Sequence, residues 1–103
     1  MNYYISYQYI KLDIMRHAGL EDLKPIESLL MEIRKVKELK ERTPGHFYYK
    51  GKNIIHFHVD NGDIYADIGD LRLKVDYTQD SEFSNNILAN MLDYMQKISM
   101  NNL

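Results

Sequence analysis

The chain contains no cysteine. That excludes disulfides, thiolate metal sites and cysteine nucleophiles together. Tryptophan is also missing, and only two prolines interrupt 103 residues. No apolar run approaches the roughly 18 residues of a membrane-crossing helix. The N-terminus lacks the basic and apolar regions of a signal peptide. The expectation is therefore a cytoplasmic protein with no membrane association, and a reducing compartment suits the missing cysteines. Neither sign of charge dominates: 13 Lys and Arg stand against 15 Asp and Glu, a formal net charge of -2. A dedicated nucleic-acid binder needs clustered Lys and Arg, so nucleic acid is not an expected partner. No phosphate-cradling glycine loop occurs.

What remains is an ordinary globular composition, 45% hydrophobic and 27% charged. A chain of this length forms one domain, 1–103, with one modest core.

The most informative stretch is His46 to Asp76, HFYYKGKNIIHFHVDNGDIYADIGDLRLKVD. Side chains of a strand alternate between two faces. Ile55, Phe57 and Val59 therefore share one face, and His56 and His58 the other. Asn61-Gly62 is a strong signal for a two-residue hairpin turn, because both central residues take positive φ. That turn pairs Val59 with Ile64, His58 with Tyr65, Phe57 with Ala66 and His56 with Asp67. A second tight turn at Gly69-Asp70 pairs Asp67 with Arg72 and Tyr65 with Lys74. All apolar residues then fall on one face, and a slip of one residue would undo this. For the first hairpin, a three-residue loop Gly51-Lys52-Asn53 keeps Phe47 and Tyr49 on the apolar face. It places Tyr48 opposite His56 and His46 opposite His58.

Around this four-stranded meander the reading is helical. Residues 1–18 carry both an alternating pattern (Tyr3, Ile5, Tyr7, Tyr9) and a helical stripe (Tyr3, Tyr7, Ile10, Ile14). A helix ending near Ala18 is expected, with Gly19 as its C-cap and Arg16 and His17 in its last turn. A second helix starts at Glu21 and Asp22 and buries Ile26, Leu29, Leu30, Ile33 and Val36. It runs on to Pro44-Gly45, with Glu38 and Arg42 paired at i,i+4. Its basic side is interleaved with acids and reads as a solvated face. A last helix begins at Asp80 and Ser81. Its apolar side is Phe83, Ile87, Leu88, Met91, Leu92, Met95 and Ile98, and its end frays from Met100. The expected architecture is α+β, ααββββα, with the helices on one face of the antiparallel sheet.

The other face is the candidate site: His46, Tyr48, His56, His58, Tyr65, Asp67 and Arg72. A ligand- or protein-binding module is the leading expectation. The self-complementary mix of His, Asp, Arg and Tyr also suits a homodimer surface. The alternative is a mononuclear-metal protein or metal-dependent enzyme. His46, His56 and His58 would hold a single transition-metal ion, with Asp67 or Tyr65 behind them. The bland reading is a solvated sheet face stitched by cross-strand pairs worth up to ~1 kcal/mol each.

Two resemblances bear on this stretch. Gly51, His56, His58, Asp63 and Gly69 resemble the first cupin motif, with two spacings one residue short, Asp63 in place of Glu, and no second motif. More broadly, Pro44-Gly45-His46-Phe47-Tyr48, His56-Phe57-His58 and Tyr65-Ala66-Asp67 resemble the PGxFY, HFH and YAD blocks of a group of small uncharacterised bacterial proteins. This likeness implies the meander as a unit and carries no activity with it.

Overall fold

A computed structural model describes residues 15–76 and 81–101; the side chains of Met15 and of 81–83 are not described. The sheet has six strands: β1 (Met15–His17), β2 (Lys40–Thr43), β3 (His46–Tyr49), β4 (Lys52–Asp60), β5 (Asp63–Ile68) and β6 (Leu71–Lys74). The helices are α1 (Leu20–Leu23), α2 (Glu27–Arg34) and α3 (Ser81–Asn101), with a 3-10 turn, Lys24–Ile26, between the first two. The class is α+β with an antiparallel sheet, but the order ααββββα with four strands is corrected. Two further strands flank the meander, which is β3 to β6.

The second and third hairpins form as the turn chemistry requires. β4 and β5 pair from His56 with Asp67 to Val59 with Ile64, and β5 and β6 pair Asp67 with Arg72 and Tyr65 with Lys74. Asn61 and Gly62 both have positive φ, 54° and 85°. The register puts Phe57, Val59, Ile64, Ala66 and Ile68 in the core. Leu23, Ile26, Leu29, Leu30 and Ile33 reach it from α1, the 3-10 turn and α2, and Ile87, Met91, Met95 and Ile98 from α3. The far turn is docked as well. The position of a Cβ on Gly69 lies 3.0 Å from the Tyr94 ring of α3.

The first hairpin differs from expectation. Its loop is Lys50-Gly51, two residues with φ 52° and 78°. Tyr49 pairs with Lys52 and Tyr48 with Asn53, and then the register shifts so that Phe47 pairs with Ile55. Ile54 is the extra residue of this bulge, and both Ile54 and Ile55 are fully buried. A bulge lets two consecutive apolar side chains serve the core. Phe47 still faces the core, and Tyr49 packs on it while sharing a hydrogen bond with Ser99 of α3, 2.8 Å.

Two helix ends are also corrected. The second helical segment stops at Arg34, not at Pro44. Past Val36 the stripe would continue at 37 and 40, and both are lysines, so a helix running on to Pro44 would set charged residues at the core positions. Instead Arg34 folds back on Glu41, with Nε donating to Oε1 at 2.7 Å and Nη2 to Oε2 at 3.0 Å. That hydrogen bond holds the Glu41 carboxyl below the ordinary carboxylate range. Glu41 also accepts the Gly45 N–H at 2.9 Å, which ties β2 to the Pro44-Gly45 turn. The Glu38–Arg42 helical pair does not form, and Arg42 lies over the Tyr48 ring at 4.5 Å.

At the other end, residues 15–17 are strand rather than the end of a helix. Gly19 is an N-cap, not a C-cap. Its N–H donates to Asp22 Oδ2 at 2.8 Å, and Arg16 clamps the same carboxylate at 2.6 Å. The Tyr3 to Tyr9 cluster lies outside the described residues. Along α3, Leu92 is 48% exposed rather than buried, and the helix continues through Met100 to Asn101.

Candidate functional site

The bulge in the first hairpin decides the geometry of the open face. β3 covers only the first half of one edge of β4, Lys52 to Ile55. The second half is taken by β1, which pairs His17 with His58 and Met15 with Asp60. The Ala18 N–H then closes the junction on the Phe57 carbonyl at 3.1 Å. As a result all four histidines of the chain gather on one face. The His17 ring is 5.1 Å from His46 and 5.6 Å from His56, and His46 is 5.5 Å from His56. His58 follows at 6.3 Å from His56 and stacks on Tyr65 at 5.9 Å.

Asp67 is the hub of the polar contacts. Its Oδ2 lies 3.0 Å from His58 Nδ1 and 3.4 Å from His56 Nε2. Arg72 Nε donates to Oδ1 at 2.9 Å and Nη2 to Oδ2 at 3.3 Å. This bidentate contact raises the Arg72 pKa and fixes the plane of the carboxylate. His56 Nδ1 is 2.9 Å from Asn53 Oδ1. An amide oxygen only accepts, so with this Asn orientation His56 carries a proton on Nδ1.

Burial sets the protonation of this face more than charge does. It pushes the His56 pKa down, and the opposing pull of Asp67 does not cancel that effect. His46 is pushed down too, by burial first and by His17 second. His58 is only 4% exposed, so it does not sit on a solvated surface as the open-face reading expects. Its Nε2 is buried without a hydrogen-bond partner.

The expected site residues divide. His46, His56, His58, Tyr65, Asp67 and Arg72 come together. Tyr48 does not join them, because the shifted register sets it opposite Asn53, under Arg42. His46 lies beside His56 rather than opposite His58. Among the described residues, the three whose ligand atoms converge within 4.8 Å are His56, His58 and Asp67. The expected trio His46, His56 and His58 is not that group.

Sequence reasoning missed His17 and Asn53. The alternating Tyr3-Ile5-Tyr7-Tyr9 pattern is the one signal that favours strand at the N-terminus. For Asn53, the loop placement hid its proximity to His56.

No family model, curated protein or solved structure matches this chain. The two resemblances noted in the sequence therefore gain no support from known proteins. No helix among the described residues is long and apolar enough to cross a membrane.

Proposed function

We propose that this chain is a small binding module that takes its ligand on the imidazole face of the sheet. The observation that supports it is the convergence of four histidines from three strands, β1, β3 and β4, next to Asp67 and Tyr65. A face that only needed solubility would gain nothing from partly burying three of its imidazoles. Burying polar groups costs free energy unless partners satisfy them. The lowered pKa values of His46 and His56 keep those rings neutral near pH 7, able both to donate and to accept. Such a face suits a small polar ligand better than nucleic acid, which would demand fixed positive charge.

The test is a side-chain NMR titration of the full chain with phosphates, carboxylic acids, nucleosides and divalent metal salts. At least one class should shift the ring signals of His17, His46, His56 and His58 together and saturably. If no class moves them, the proposal fails. If they move instead with protein concentration, in step with dimer formation in sedimentation, the face is a contact between two copies of the chain.

A further inference from the structure

We infer that the ligand of this face is a single divalent first-row transition-metal ion, held by His56 Nε2, His58 Nδ1 and Asp67 Oδ2. This rests on the binding-module reading above and names its ligand.

The argument starts from the unusual meeting of His56 and Asp67. His56 Nδ1 donates to Asn53 Oδ1 at 2.9 Å. In a neutral ring the proton on Nδ1 leaves Nε2 with a bare lone pair. That lone pair faces Asp67 Oδ2, also an acceptor, at 3.4 Å. A proton or a metal cation between them relieves this contact, and a metal does so while the ring stays neutral. Arg72 donates to both carboxylate oxygens, Nε to Oδ1 at 2.9 Å and Nη2 to Oδ2 at 3.3 Å, and it makes no bond to His56 Nε2. A second ligand stands ready on the same oxygen, since His58 Nδ1 is 3.0 Å from Oδ2.

Two of the three ligand–ligand distances fit a coordination shell. Metal–nitrogen and metal–oxygen bonds of about 2.0–2.2 Å place neighbouring ligand atoms about 2.9–3.4 Å apart. Two edges of the triangle measure 3.0 and 3.4 Å, and the third is within 4.8 Å. The supporting groups are those a metal site uses. Asn53 sets the tautomer of His56, and Arg72 orients Asp67. On loading, His58 changes tautomer, so that its remaining proton sits on the buried Nε2. Two histidines and one carboxylate leave coordination positions open, as in metal sites that bind a further ligand. The rings of His17 and His46 stand beside His56, at 5.6 and 5.5 Å.

The test uses the full chain stripped with a chelator and titrated with Zn²⁺ by calorimetry and with Co²⁺ by visible absorption. One equivalent should bind saturably, with Co²⁺ giving ligand-field bands. Asp67→Asn and His56→Ala should each weaken binding at least tenfold. His17→Ala and His46→Ala should change it less than threefold. Asn53→Ala acts only through the tautomer of His56 and should weaken binding severalfold while leaving the melting temperature near that of the parent. This variant keeps the test valid if Asp67→Asn does not fold. Absence of saturable binding overturns the inference. So does equal weakening by the three histidine changes, which would describe a diffuse imidazole patch. If no metal binds but another ligand class shifts the histidine signals, the metal falls and the binding module stands.

Discussion

The two edges of β4 are built in opposite ways. Along one edge, six consecutive pairs to β5 follow from a single two-residue turn. The other edge is divided between β3, its neighbour in sequence, and β1, which arrives from beyond both short helices. The first edge needs only local chemistry: two residues able to take positive φ, flanked by alternating side chains. The second depends on a bulge and on a three-residue strand whose partner lies far along the chain. The candidate site sits where the two edges meet, with Asp67 supplied by the first and His17 and His46 by the second.

The largest effect should come from the strand itself. Phe57 is 1% exposed, and Phe57→Ala should cost roughly 3–5 kcal/mol in urea unfolding. His56→Ala, on the opposite face, should cost less than half as much. Equal losses would mean that the two faces are wrongly assigned.

The turns come next. Gly62→Val forces a β-branched residue into φ 85° and should cost about 1–3 kcal/mol. On the divided edge the sign reverses. Lys50 holds φ 52°, a position that favours asparagine, so Lys50→Asn should stabilise by less than about 1 kcal/mol. Destabilisation by Lys50→Asn would show that the loop at Lys50-Gly51 is not the one formed.

Acid should act mainly through the divided edge. The folded pKa values of His46 and His56 lie below the ordinary 6.5. Below pH 6.5 the unfolded chain takes up protons before the folded one does. Stability is therefore fully present above pH 6.5 and is lost as pH falls through the lower folded values. The groups facing these rings are His17 from β1, His58 from β4 and Asp67 from β5. Thermal melts of the double variant His46→Asn with His56→Asn should show a flatter dependence between pH 7 and 5. An unchanged slope would place the acid sensitivity elsewhere.

The smallest effect on stability should be His17→Ala, within about 0.5 kcal/mol for an exposed side chain. The same change should nevertheless shift the NMR signals of the His46 and His56 rings, which it touches. Silence from those rings would mean that β1 does not pair as described.

This contrast also explains what was legible in the sequence. Residues 55–74 could be placed because Asn61-Gly62 and Gly69-Asp70 fix the register through backbone φ, and every apolar residue then agrees. The core stripe Ile26, Leu29, Leu30 and Ile33 was visible for the same kind of reason, a regular period. Ile54 and Ile55 carry no such mark, since two adjacent isoleucines read as ordinary strand until a bulge is allowed. His17 was misplaced because helical and strand periods overlap across the N-terminus. Only pairing with a distant β4 decides between them. Strand β2 was hidden by charge: Lys37, Glu38, Lys40 and Glu41 continue a good helical surface, and tertiary pairing with β3 overrides it.

Among the described residues the path β2-β3-β4-β5-β6 ends at β2 on one side and β6 on the other, with β1 paired to β4 off that path. An open strand edge offers rows of unpaired N–H and C=O groups on which another chain can polymerise. Here both ends are charged, Lys40-Glu41-Arg42 on one and Arg72 and Lys74 on the other. A second molecule that tried to extend either edge would have to bring its own strand against those charges. Arg72 places on that edge the same guanidinium that orients Asp67.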